Sequence, residues 1–397
     1  MKMNRFSTKA ALLLVSSLTV MAGATIAPAL PSIQAHFRGV NDVGLWVRLI
    51  FTMPALFIVL AAPLAGWFLD RNGRLRLLIP SMILYGIGGS SGIYLDSIGA
   101  ILAGRALLGI AVAGIMTSAT TLVADYYEGQ ARSRFMGWQA AFMSFGGVIF
   151  LTTGGALTEV GWRWPFTIYL FSIVLIPLVI SSLSEPVSQV KKANTENTAG
   201  EPVVKPVRLL TLIYGVAFGG MVIFYFVPLQ IPFYLKTLVG AGPTASGMAI
   251  AVATLSGMVI SLFYSRVRAR MDYISILSLN FGLMGTGYLL IGLGDNYLPV
   301  LAGLAVSGLG TGLMFPNLNV WLTSEVPEAF RGRAVGGLTT AIFLGQFMSP
   351  VAGQPIAETF GLDFLFRGAG VVLLSVAFAF VLLKQPIRAF VNIMAVR

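Results

Sequence analysis

The chain has no cysteine and one histidine, His36. The first absence excludes disulfides, thiolate metal sites and a cysteine nucleophile. The second leaves no cluster of imidazoles for a metal centre or a general-base relay. Charge is scarce as well. Only 10% of residues are Asp, Glu, Lys or Arg, against 56% hydrophobic, and the mean hydropathy is +0.85. Too few polar side chains exist to cover a water-soluble globule of 397 residues. Carboxylates are rarest where chemistry would need them: Asp70, Asp96, Asp125, Glu159, Asp272, Asp295, Glu325, Glu358 and Asp363 all fall at the ends of apolar runs or between them. No recognisable nucleophile, metal set or buried acidic pair is left, so neither an enzyme nor a bound cofactor is expected.

What the chain has in abundance is long apolar runs. Twelve of them, at 10–33, 46–69, 77–95, 98–123, 135–157, 165–183, 209–235, 245–267, 274–293, 297–322, 334–357 and 364–383, approach the ~20 residues that a membrane-crossing helix requires. The pattern predicts an all-α membrane protein with twelve transmembrane helices. An even number of crossings puts both termini on one side, and 20 of the 26 basic residues fall on that side. Arg38, Arg48, Arg163, Lys236 and Arg367 fall on the other, with Arg105 inside the fourth span. The excess of Lys and Arg marks the terminal side as cytoplasmic, and the same rule accounts for the formal charge of +11 without nucleic acid. The first span follows Lys2, Arg5 and Lys9 in the manner of a secretory signal, but its apolarity continues to Ile33, which favours a retained helix. The 45 glycines suit helices that approach closely and slide without a hydrophobic drive between them.

The chain also repeats itself. Arg132, Arg134 and Gly137 recur as Arg331, Arg333 and Gly336, 199 residues further on, and the same offset carries Gly109 onto Gly308, Gly154 onto Gly353 and Arg71 onto Arg270. Ser184 to Pro206 is the longest polar stretch. Residues 1–183 and 207–397 therefore read as two pseudo-symmetric six-helix bundles, joined by a cytoplasmic linker at 184–206. Parallel repeats of this kind build a site between two rocking bodies, opened to either side in turn.

The sharpest motif lies between the second and third spans, Gly66-Trp67-Phe68-Leu69-Asp70-Arg71-Asn72-Gly73-Arg74-Leu75-Arg76. Gly66 permits close helix approach, Asn72-Gly73 permits a tight turn, and Asp70 has Arg74 or a neighbouring helix N-terminus as a partner. Read blandly, Arg71, Arg74 and Arg76 are orientation charges, but that leaves Asp70 and the two spaced glycines unexplained. The run resembles the signature loop G-x-x-x-D-R-x-G-R-R/K of the major facilitator superfamily. Its counterpart, Ser265 to Asp272, keeps the charges and loses both glycines.

Other segments extend the resemblance. Arg105, followed by Gly109 and Gly114, is similar to the R-x-x-x-G element of the fourth helix, which in the family is implicated in proton coupling. The residues alone leave two readings, a buried guanidinium facing a cavity or partner and an Arg snorkelling to the outer headgroups. Gly146, Gly154 and Gly155 match the exporter motif G-x-x-x-G-P-x-x-G-G, whose central Gly-Pro is here Phe150-Leu151, and Pro350 and Gly353 sit in the equivalent element of the other half. Ala29 to Ile33, Gly161 to Phe166 and Gly308 to Pro316 add further likeness. The resemblance is to the twelve-helix drug:proton antiporter group. It implies a secondary transporter of the cell (inner or plasma) membrane, working by alternating access and exporting lipophilic or amphipathic molecules against protons. Gating and coupling are then expected of Gly66, Asp70, Arg71, Gly73, Arg74, Arg105, Gly109, Asp125, Arg132 and Arg331.

For the substrate cavity, the candidates are uncharged polar or aromatic residues within spans: Gln139, Met143, Tyr225, Phe226, Gln230, Asn317, Asn319, Trp321, Phe343 and Gln346. Amides and rings at mid-membrane depth suit a lipophilic cargo with few ionic groups. The expected partners are that cargo, protons and membrane lipids, with no nucleic acid and a monomeric chain. The lack of a mid-membrane acid keeps two other readings open, a proton-independent facilitator or lipid transporter of the same fold and a non-transporting scaffold.

Overall fold

The computed structural model of the protein describes residues 6–185 and 207–392; most of the predicted linker, from 186 to 206, lies outside them. Among the described residues are twelve helices long and apolar enough to cross a membrane: α1 Phe6–His36, α2 Val43–Asn72, α3 Arg74–Tyr94, α4 Ile98–Tyr126, α5 Gly129–Val160, α6 Trp164–Ser182, α7 Val207–Val239, α8 Pro243–Leu262, α9 Tyr273–Leu293, α10 Tyr297–Glu325, α11 Glu328–Phe360 and α12 Leu362–Leu382. Hydrocarbon offers no partner for backbone N–H and C=O groups, so segments this apolar are driven to satisfy them internally as helices. Three of the helix starts are capped by side chains: Ser97 accepts from Ala100 N, Asp272 from Ser275 N and Asn296 from Leu298 N. Gly73, at φ 101°, turns the chain between α2 and α3.

Several helices outrun their apolar stretches. α5 begins at Gly129 and α11 at Glu328, so Arg132, Arg134, Arg331 and Arg333 ride on the opening turns of helices rather than in connections. Hydropathy marks what lipid covers, whereas backbone hydrogen bonding continues the helix into the headgroup region. α1 and α7 are each interrupted at mid-length. α1 breaks around Thr25 and Ile26, ahead of Pro28 and Pro31, and α7 breaks at Tyr225, ahead of Pro228. The missing N–H of each proline removes one rung of the helix ladder.

The 199-residue repeat persists in three dimensions. Gly109 of α4 lies directly on Pro54 O of α2, and its counterpart Gly308 of α10 lies on Ala253 O of α8. Gly88 packs on Gly104 O and Leu108 N, and Gly287 on Gly303 O and Ser307 N. All four positions leave no room for a side chain, which is how helices without a hydrophobic drive between them gain contact. The ends of the two halves match too. Glu185, after α6, accepts from Arg74 N and Leu75 N at 2.6 and 2.9 Å, capping α3. Lys384, at the same offset after α12, reaches Asp272 at 3.2 Å and Ser275 Oγ at 2.7 Å at the start of α9. Each half is thus tied from its last span back to its third.

We call the face bearing the chain ends and most Lys and Arg the basic face, and the opposite one the far face.

Candidate functional site

A cavity of about 590 Å³ lies at mid-depth between α1–α6 and α7–α12. Both interrupted helices border it, α1 through Thr19, Val20 and Ala22 to Ala24, and α7 through Phe224, Tyr225, Val227 and Pro228. Phe51, Met116 and Met143 line it from one half, and Phe224, Tyr225, Tyr288, Phe315, Phe343 and Gln346 from the other. Phe51 and Tyr225 meet across it with ring centroids 6.0 Å apart. No Asp, Glu, Lys, Arg or His lines it among the described residues. Its polar groups are hydroxyls such as Thr19, Ser144, Thr254 and Thr311, together with the Gln346 amide. Such a chamber holds apolar surface and orients it with a few neutral hydrogen bonds.

Of the ten cavity candidates, the structure brings Met143, Tyr225, Phe343 and Gln346 together on the wall. The other six, expected at the cavity from the sequence, lie outside its lining in this conformation. Gln139 Nε2 donates to Ser16 Oγ at 2.7 Å, joining α5 to α1 toward the basic face. Phe226 is buried with its ring against Gly353. Asn317 is wholly buried, donating to Tyr273 O at 3.0 Å and accepting from Tyr264. Asn319 turns back to its own helix at Phe315 O. Trp321 stacks on Tyr273 with centroids 5.4 Å apart. Gln230 belongs to a network on the far face. Buried amides need partners, and the nearest partner proved to be a neighbouring helix more often than the cavity. Sequence reasoning missed Phe51, Met116, Phe224, Tyr288 and Phe315, which are indistinguishable from packing residues until the helix faces are known.

The loop between α2 and α3 is anchored on its own half. Arg74 Nε pairs with Asp125 Oδ2 at 2.8 Å, Gly73 is covered by the Glu185 carboxylate, and Arg71 lies over the Trp67 ring, 4.5 Å from its centroid. Asp70 is exposed and outside the Arg74 pair. Arg132 is exposed, and Arg331 bonds Val326 O at 3.1 Å.

Arg105 does not snorkel. It is 0% exposed, with Nε on Ile50 O at 2.9 Å and Nη2 on Ala22 O at 2.6 Å, and it sits 5.1 Å from the centroid of the Tyr169 ring. Tyr169 itself donates to Ala22 O. The guanidinium therefore ties α4 to α1, α2 and α6 behind the cavity wall. It does not face the chamber.

On the far face the halves meet directly. Gly155 of α5 lies on Pro243 and Thr244 of α8, Gly247 of α8 on Leu151 O of α5, and Glu159 Oε1 accepts from Thr244 N at 3.2 Å. Gly154 packs on Thr25 O of α1. Gly44 of α2 faces the side-chain ends of Gln354 and Glu358 on α11. Beside it, Arg48 crosses to Gln230 of α7. Gly146 is buried near Ser17, and Pro350 and Gly353 are buried in α11.

Two repeated six-helix units around one chamber, in contact on the far face, have the architecture of a polytopic membrane carrier. The chain belongs to the Major Facilitator Superfamily, whose family model matches residues 12–350 and again 231–391. Members of that family carry small molecules, some of them together with protons, and the twelve crossing helices make this chain a multi-pass membrane protein. The human vesicular acetylcholine transporter is 25% identical over 356 residues, covering 85% of this chain and 65% of the relative. A multi-drug resistance efflux pump PmrA homolog from Lactococcus lactis subsp. lactis (strain IL1403) is 22% identical over 386 residues, covering 92% and 93%. The chain spans less than two thirds of the length of the first vesicular transporters it matches, 36% of the Danio rerio protein and 65% of the human one. Among solved structures, a bacterial homologue of the human lysosomal transporter Spinster superposes with a TM-score of 0.76 at 18% identity, covering 97% of each chain.

Proposed function

We propose that the protein exports lipophilic or amphipathic small molecules by alternating access, coupled to proton entry. The observation that carries this reading is the mid-depth chamber, walled by rings, methionines and neutral hydroxyls from both halves. A cargo with apolar surface gains there by leaving water. An ionic or densely hydroxylated cargo would lose hydration without recompense. The efflux-pump name borne by the Lactococcus relative supports export. With the basic face taken as cytoplasmic, the described conformation is sealed toward the outside, as a pump loading from the cell requires. The Asp70 to Arg76 loop, with Arg74 paired to Asp125, is the segment that resembles the family's signature loop and supports coupling.

A second reading, a proton-independent facilitator, is favoured by one observation: among the described residues no carboxylate lines the chamber. Everted membrane vesicles separate the two. Accumulation of a lipophilic dye driven by an imposed pH gradient, abolished by uncoupler and by Asp70→Asn, is expected of the exporter. Transport that runs down its own gradient with uncoupler present would overturn proton coupling. No movement of any lipophilic probe would overturn the cargo class.

A further inference from the structure

Three buried or half-buried arginines stand on the far side of the chamber, and they are used differently. Arg105 bonds Ala22 O and Ile50 O, both within its own half. Arg163 bonds Gly92 O and Leu95 O and pairs with Asp96, again within that half. Arg48, only 3% exposed, reaches across. Its Nε and Nη2 both donate to Gln230 Oε1, at 3.0 and 2.7 Å, and its guanidinium lies 4.0 Å from the centroid of the Phe233 ring. Both partners are on α7. The remaining nitrogen stays at home, with Nη1 on Gly44 O at 2.8 Å and Gln34 Oε1 at 3.3 Å.

The chain of bonds continues. Gln230 Nε2 donates to Gln354 Oε1 at 3.2 Å, and Gln354 Nε2 to Glu358 Oε1 at 2.7 Å. Every donor points the same way, from the cation on α2 through two amides to a carboxylate on α11. No carboxylate is within salt-bridge distance of Arg48 among the described residues. That choice of partner matters. Separating a buried ion pair uncovers two charges, whereas parting a guanidinium from an amide uncovers one, so the contact is strong enough to close a face and still reversible.

We propose that Arg48 is the bolt of the far face: through Gln230 and Gln354 it holds α2 against α7 and α11 while the chamber is shut on this side, and the bolt parts when the far face opens. Arg48 touches no cargo; it is a positioning residue that sets which face is open. The proposal rests on alternating access and adds to it the residue that biases the two states. Rocking the halves apart at the far face parts the Arg48–Gln230 contact along with the Glu159–Thr244 N bond. Arg105 and Arg163 move with their own half and keep theirs.

The native chain has no cysteine, which makes thiol labelling a direct test. In the full-length protein with Ser144→Cys as a chamber reporter, a membrane-impermeant maleimide is added to either side of sealed membranes of both orientations. The parent should label faster from the basic face. Arg48→Gln and Gln230→Leu should each raise far-face labelling roughly tenfold, the change that loss of one charge-assisted bond of about 1.4 kcal/mol gives. Arg48→Lys should restore part of the seal, and Arg163→Gln should leave far-face labelling at the parent level. The two bolt substitutions enter from opposite halves, so misfolding of one leaves the other to report. Gly155→Leu, a wedge against Pro243 and Thr244, serves as an independent opener. If the wedge raises far-face labelling while both bolt variants leave it unchanged, or Arg163→Gln raises it equally, the assignment of Arg48 is overturned. If no variant, wedge included, admits reagent from the far face, alternation itself fails and the transport reading with it.

Discussion

The two ends of α2 face opposite circumstances. At the far end Gly44 packs against Gln354 and Glu358 of α11, and Arg48 reaches Gln230. At the basic end a methyl placed on Gly66 would meet nothing within 4 Å. α5 shows the same contrast, with Gly155 pressed on α8 and Gly137 facing open space. Both helices thus pack on the other half at one end and carry an open motif glycine toward the other. The lesson is that a motif glycine reports a state as much as a fold. Gly66, inside the signature loop, has no close neighbour in the conformation described.

The comparison breaks most readily at its tight end. Gly247→Val forces a branched side chain onto Leu151 O, and overpacking against backbone that cannot yield should lower stability by about 3 kcal/mol. Gly66→Val should change it by less than about 0.5 kcal/mol. Thermal unfolding of both variants in detergent decides the matter, and equal losses would show that the two ends are packed alike.

A smaller effect is expected behind the chamber wall. Arg105→Met removes the donors on Ala22 O and Ile50 O and should lower stability by about 2 kcal/mol, since two buried carbonyls lose a partner. If Arg105 acts only by tying α4 to α1 and α2, the pH profile of transport per folded molecule stays that of the parent. A displaced profile would restore the coupling role that the family resemblance implies.

The smallest effect belongs to the basic face. Arg74 and Asp125 are each about a quarter exposed, and a pair so placed is worth roughly 0.2–1 kcal/mol. Arg74→Gln should therefore barely move the melting temperature, and added salt should erase even that difference. A loss comparable to that of Arg105→Met would mean that the loop is a structural clasp in this state as well.

Much of the architecture was legible in the residues. Twelve apolar runs gave twelve crossing helices because lipid leaves the backbone no other way to satisfy itself. The 199-residue repeat was legible because glycines are kept where two backbones touch, and Gly109 with Pro54 and Gly308 with Ala253 show that the register is real. The site was legible only in part. Gln346 and Gln230 look alike in sequence, both amides inside an apolar run, yet one faces the chamber and the other accepts from Arg48. Arg48 itself stands near the predicted start of a span and reads as one more surface charge.

What the sequence determined by itself was everything that depends on the solvent: the number of spans, the even crossing and the gathering of positive charge on one face. Those follow from residue-by-residue transfer between water and hydrocarbon, which needs no neighbour. Which amide meets which cation, which ring faces the chamber and which face is shut were decided only by tertiary structure. They depend on rotation about each helix axis and on the tilt between the halves, and a few degrees of either exchanges one set of partners for another.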